Sequence, residues 1–182
     1  MDIFKKLVLC LALVGFTPHS ADIVVGDTKV KELKTPKDRI KFLEDLAYSE
    51  SRNDYKKVNK YGFIGKYQFS TATLRLLGIK VTKDDFLNNP QLQEDAVFLL
   101  LIANKKNLRR HIEKYSYNKI KGITVTESGI LAAAHLVGSG KVKKWLNTNG
   151  KETKKDALGT SIETYMRKFK GYELNLPGTV KI

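Results

Sequence analysis

Apolar residues recur at three- and four-residue spacing in several separated stretches of the chain, with capping residues, prolines and glycines between them. That pattern predicts a mostly helical protein. At Thr35-Pro36-Lys37-Asp38 a threonine cap, a proline in the first turn and an acid three positions on mark a helix start, and the helix should run to about Glu50. At helical spacing Leu43, Leu46, Ala47 and Glu50 fall on one stripe with Ile40 at its edge, while Glu44 and Asp45 point elsewhere. From Tyr55 to Tyr67 the chain mixes Val58, Phe63 and Ile64 with Gly62 and Gly65, which suits a small irregular hairpin forming one wall of a cleft. Ser70 caps a short helix that Gly78 ends, and Thr82 with Asp85 makes a capping box ahead of Phe86 and Leu87.

Asn89-Pro90 opens the longest helix, whose Leu92, Ala96, Val97, Leu99, Leu100, Leu101 and Ile102 are apolar nearly all round, as expected of a helix running through the core. Its continuation turns basic and amphipathic, with Leu108 and Ile112 inward and Lys105, Lys106, Arg109 and Arg110 mostly outward. Glu127 to Val137 reads as a second buried helix, its alanines at 132–134 permitting close approach to a neighbour, and Gly138-Ser139-Gly140 stops it. A short helix with Trp145 follows. Thr160 and Glu163 form a capping box for the last helix, on which Ile162, Tyr165, Met166 and Phe169 share a face.

The N-terminal MDIFKKLVLCLALVGFTPHSA changes the picture of where the protein works. A basic pair, an apolar run too short for a comfortable membrane span, and small and polar residues after it are the marks of a secretory signal peptide, with cleavage expected near Ala21. Residues 22–34 read as a loose leader with at most one short strand, and 35–182 as one domain. Removing 21 of the 182 residues leaves 161, enough for a single core. The one cysteine, Cys10, lies in the signal segment without the small residues that precede a lipidated cysteine. The exported chain therefore has no internal disulfide, thiol nucleophile or cysteine metal site.

The formal net charge is +14, and because residues 1–21 carry Lys5, Lys6 and Asp2, +13 remains after cleavage. The expected partner is anionic. Nucleic acid, anionic lipid and anionic cell-wall polymer all have that sign. Export and the lack of any aromatic-basic nucleic-acid motif argue against the first, and no basic amphipathic helix stands apart from the core for the second.

Glu50 is the candidate for chemistry. A carboxyl at a helix end on an apolar stripe loses part of its hydration, which disfavours the charged form, as a general acid protonating a glycosidic oxygen requires. The plain alternative is a side chain that only bonds backbone at the helix end. The company it keeps favours the first. Glu50-Ser51 looks like the catalytic "ES" of the lysozyme-like lytic transglycosylases, the group that includes the soluble lytic transglycosylases and goose-type lysozyme. Gly62-Phe63-Ile64-Gly65-Lys66-Tyr67-Gln68 resembles that family's "GxxGLMQ", and Ala72-Thr73 its "PATA"-like segment. Farther on, AAAHLVGSGKV is similar to "AAYNAGPGRV", ETYMRKF resembles the closing "ET…YV" helix, and Tyr165 matches the family's active-site tyrosine. Three departures stand out. His135 replaces a usual tyrosine, Leu136 an asparagine, and Lys66-Tyr67 a Leu-Met pair.

The resemblance runs from about Lys37 to Tyr172 and implies a mainly α, lysozyme-like α+β fold, a helical domain with a small β-hairpin beside the active-site cleft. It implies an exported, monomeric enzyme, periplasmic or extracellular, without cofactor or metal. Its substrate would be the peptidoglycan glycan strand, cut between N-acetylmuramic acid and N-acetylglucosamine. Glu50 would be the catalytic residue, with Ser51, Tyr61, Gly62, Gly65, Tyr67, Gln68, His135 and Tyr165 around the substrate. Several of these keep a second reading. Gly62 and Gly65 admit a sugar or simply make turns. Gln68 binds an acetamido or hydroxyl group or ties the hairpin to the next helix, and Tyr165 orients Glu50 or packs in the core. One of Tyr55, Tyr61 and Tyr67 is expected to stack on a sugar ring. His135 reads by default as a core histidine, and His111 has a basic surface neighbourhood; with no H-x-x-x-H spacing, a metal site is not expected.

Glu163 and Asp54 have capping work to do, which leaves no convincing second carboxylate for hydrolysis by inversion or through a covalent adduct. In the resembling lytic transglycosylases one glutamate protonates the leaving oxygen, the substrate's acetamido group assists, and a sugar hydroxyl closes an anhydro ring. A hydrolytic lysozyme and a non-catalytic wall-binding module are the alternatives.

Overall fold

The first expected helix forms as α1, Thr35–Ser51, in the computed structural model, which describes residues 35–152 and 159–177. The expected signal peptide and leader lie outside the described residues. On α1, Phe42, Leu46 and Ala47 are buried completely, whereas Ile40, placed by spacing at the edge of the stripe, is 55% exposed. The buried stripe therefore runs through Phe42, which packs edge-on against Phe169 and Tyr172.

Two short helices follow, α2 (Thr71–Leu76) and α3 (Lys83–Leu87), capped by Ser70 and Thr82 as their sequences predict. The Thr82 hydroxyl accepts from the Asp85 amide and donates to its carboxylate, closing the box. Helix α4, Pro90–Tyr115, starts on the Asn89 cap with proline in its first turn. It buries Leu92, Ala96, Val97, Leu101, Ile102, Leu108 and Ile112. Two polar side chains, Gln93 and Asn104, are buried with them.

A two-stranded antiparallel hairpin comes next, β1 (Lys119–Ile120) and β2 (Ile123–Thr124), with Ile120 opposite Ile123. Lys121 and Gly122 form its turn at φ +50 and +72, the positive values a two-residue hairpin needs, and the two isoleucines point into the core. Helix α5, Glu127–Val137, is the most deeply buried element and packs against α4, α6 (Ser139–Asn147) and α7 (Ile162–Lys168). Its small residues set the spacing. A Cβ on Gly129 would stand 3.0 Å from the Met166 carbonyl of α7, so α5 and α7 approach through that glycine.

The fold is mainly α with a small hairpin, as expected, but three details depart from the sequence reading. The ladder lies between α4 and α5, while Tyr55–Tyr67 makes only single-residue bridges, Val58 to Ile64 and Ile64 to Phe69. The glycines and asparagine turns there leave no run of extended residues long enough to pair. The last helix is capped by Ser161, whose side chain accepts from Thr164, in place of Thr160. Glu163 is thereby drawn inward, where its Oε1 accepts from the indole of buried Trp145 at 2.9 Å and lies 3.4 Å from Lys121. Gly138, at φ +86, ends α5 as predicted, yet α6 begins at once and takes in Ser139 and Gly140.

Candidate active site

Glu50 stands in the last turn of α1, three and four residues beyond Ala47 and Leu46, so the stripe that buries those two also turns its carboxyl inward. Its side chain keeps 14% exposure, and its Oε1 accepts a 2.7 Å hydrogen bond from the Tyr165 hydroxyl of α7. Those partners are 115 positions apart in sequence. Beyond α1, Arg52 and Asn53 adopt φ +63 and +66 and reverse the chain, bringing the glycine-rich segment back across the helix end. Ser51 makes that reversal rigid: its hydroxyl donates to the Lys66 carbonyl at 2.7 Å and accepts from the Asp54 amide at 3.0 Å. Expected beside substrate, Ser51 is a buried tie between helix and wall. Asp54 caps its turn through the Lys56 amide, as read from SRNDY.

The carboxyl opens into a cavity of about 450 Å³. Tyr61, Gln68, His135 and Tyr165 line it together with Glu50, which gathers residues from α1, the glycine-rich segment, α5 and α7. Glu50 is the sole acid among its lining residues, and Lys57 and Lys141 stand on its rim. Tyr61 is 48% exposed and is the aromatic of the three candidates that faces the cavity. Gln68 lines it while its amide donates to the Gly65 carbonyl at 2.9 Å, a bond within the glycine-rich segment. Gly62 and Gly65 have φ +80 and +78 and make the turns at the two ends of Phe63-Ile64.

Tyr67 departs from expectation. It is buried, and its hydroxyl donates to Glu94 Oε2 of α4 at 2.6 Å, away from any sugar. Lys66 and Tyr55 converge on Oε1 of the same carboxylate, at 2.8 and 2.7 Å. Burial alone would push the Glu94 carboxyl up, but the hydrogen bonds from Lys66, Tyr67 and Tyr55 prevail and hold it below its ordinary value. Burial likewise opposes charge on Lys66, and the bonds to Glu94 and Tyr55 overcome it and raise the ammonium above its usual range. This cluster fixes the glycine-rich wall on α4. Next to it, the Gln93 side chain accepts from the Lys66 amide and donates to the carbonyls of Tyr55 and Phe86.

His135 lines the same cavity beside Glu50. The ring is buried, with its Nε2 3.0 Å from the Tyr67 carbonyl and 3.9 Å from Glu50 Oε1. A larger cavity, about 640 Å³, lies elsewhere, floored by Ile64, Leu74 and Ile79. Its one acid, Asp85, is engaged by Thr82, so it holds no comparable chemistry. His111, in its basic neighbourhood, stacks on Tyr115 and is held below the usual imidazole range by burial and by Lys143 and Lys114.

The Glu94 cluster and the Gln93 plug escaped the sequence reading because α4 looked uniformly apolar there. The available signal was a Gln-Glu pair in the first turns of a helix expected to be buried. Comparison with protein-family models, with curated proteins and with solved structures found no match.

Proposed function

We propose that this protein cleaves the glycan strand of peptidoglycan between N-acetylmuramic acid and N-acetylglucosamine, as a lytic transglycosylase with Glu50 as its acid and base. One observation carries the reading: a partly buried carboxyl on a cavity wall, bonded by Tyr165 and accompanied by no second acid among the lining residues. Three carboxylates on neighbouring elements are engaged. Asp45 is held by Lys41 and Tyr172, Glu163 by Trp145 and Lys121, and Glu94 by Lys66 and two tyrosines. Inversion needs a base to activate water, and retention through a glycosyl-enzyme needs a carboxylate nucleophile some 5 Å from the acid, as a rough guide.

With one acid, the substrate supplies the rest. Glu50 gives its proton to the glycosidic oxygen as that bond breaks, and the acetamido oxygen of the muramyl residue attacks the anomeric carbon. The muramyl 6-hydroxyl then displaces the acetamido oxygen, returning its proton to Glu50 and closing a 1,6-anhydro ring. Tyr165 keeps the carboxyl aimed at the cavity, and Tyr61 offers a flat apolar face for a sugar ring.

Mass spectrometry of fragments released from purified peptidoglycan tests this, with Glu50→Gln in parallel. The wild type is expected to release anhydro-ended fragments, and the variant to melt like the wild type and release none. Reducing ends carrying an added water would make the protein a hydrolytic lysozyme. Wild-type activity in Glu50→Gln would remove Glu50 from the mechanism, and pelleting with wall but no release by either protein would leave a wall-binding module.

A further inference from the structure

We infer that His135 positions Glu50 for proton transfer, its buried ring backing the carboxyl oxygen that accepts from Tyr165 so that the other oxygen carries the proton. This rests on the reading of Glu50 as the acid. A carbonyl oxygen only accepts hydrogen bonds, so the 3.0 Å contact to Tyr67 requires the His135 proton on Nε2. Nδ1 is then a bare acceptor, and it is buried with no hydrogen-bond partner among the described residues. A buried polar atom left unpaired opposes folding, and it is tolerated where its ring is held for another purpose.

The ring is held firmly. Phe69 meets it edge-on at 5.9 Å, and the carbonyl it grips belongs to Tyr67, whose hydroxyl is anchored on Glu94. His135 thus stands between a wall fixed on α4 and the carboxyl at the end of α1.

Nε2 lies 3.9 Å from Glu50 Oε1, the same oxygen that accepts from Tyr165. This is too far for a hydrogen bond, and the Nε2 proton is already given to the Tyr67 carbonyl, so the ring meets the carboxyl by packing and by its N–H dipole. Tyr165 donates to Oε1 and the His135 ring is packed beside it, so the acidic proton rides on Oε2. As it leaves, negative charge grows on a carboxyl already held by the Tyr165 donor and set beside the fixed dipole of the His135 ring, which cost no rearrangement at that moment. His135 does not touch the reacting atoms in this account; it acts through Glu50.

The test is imidazole nitrogen NMR of the protein, with kinetics on peptidoglycan fragments. The chain has three histidines, His19, His111 and His135, and His135→Gln assigns the signals of the third. The neutral His135 ring is expected as the Nε2–H tautomer, and Glu50→Gln is expected to move its signals while leaving those of His111 in place. His135→Phe, which keeps a ring and loses the donor, should lower kcat about tenfold with KM within about twofold. His135→Gln, with an amide donor of similar reach, should restore most of that. An Nδ1–H tautomer, His135 signals indifferent to Glu50→Gln, or full kcat in His135→Phe would each overturn the inference. So would a loss that follows a lowered Tm and is not restored by His135→Gln. Should the wild type release no glycan while the His135 signals still answer to Glu50→Gln, the glycosidase reading falls and the coupling of the two residues is upheld.

Discussion

Gly65 and Gly62 hold nearly the same backbone conformation, φ +78 and +80, yet their surroundings separate them. A Cβ at Gly62 would meet nothing within 4 Å, whereas at Gly65 it would fall 2.3 Å from Gln93 Oε1. That oxygen cannot swing aside, because the same amide holds the Lys66 N–H and two carbonyls. Gly62→Ala is expected to cost about 1 kcal/mol of backbone strain. Gly65→Ala should cost about 3 kcal/mol, the overlap adding to the strain. Urea unfolding midpoints of the two variants, with the slope held common, measure the difference. At this scale the sequence was informative about residue type and silent about direction. Spacing on a single helix put Glu50 on the buried stripe, and the turn chemistry of the glycines was equally local. Whether Tyr67 looked toward the cavity or toward Glu94 depended on a partner 27 residues away, which no local pattern encodes.

The glycine-rich segment has little secondary structure of its own and is made stiff by its neighbours. Its Lys66 and Tyr67, with Tyr55, load three hydrogen bonds onto Glu94 of α4. The depressed Glu94 value carries a pH dependence: the carboxylate stabilises the fold above about pH 4.3, the unfolded value, and this is lost as pH falls through the lower folded value. Thermal melts from pH 7 to pH 3 should show Tm falling at the acid end. Glu94→Gln should lower Tm at neutral pH and flatten that acid decline; an unchanged decline would mean that other carboxylates cause it. Helix starts at Ser70, Thr82 and Asn89 were legible because a cap is a local bargain between one side chain and the next turn. The Thr160 box failed for a different reason. Ser161 offers an equivalent hydroxyl one residue on, and the indole of Trp145 draws Glu163 away from capping.

Across the whole molecule, 33 Lys and Arg against 19 Asp and Glu leave a formal charge of +14. Lys57 and Lys141 bring that charge to the rim of the Glu50 cavity. Adhesion to an anionic wall polymer should therefore weaken steeply between roughly 0.05 and 0.5 M salt, as the screening length falls below the spacing of surface charges. Pelleting with purified sacculi across that range measures it, and salt-independent pelleting would point to contacts that do not depend on charge. The mainly helical class and the single long core helix were legible at this scale from periodicity alone. The placement of the β1–β2 hairpin was not, since its buried contacts are two isoleucines set beside a lysine-glycine turn in an otherwise polar stretch.

The bond from Tyr165 to Glu50 has a consequence in time. The carboxyl is made early in the chain and the hydroxyl that steadies it 115 residues later, on α7. A chain still emerging from the ribosome carries Glu50 without its partner. The carboxyl is steadied only after the last helix has docked, so the first helix and the last must both be in place before this corner of the cavity exists.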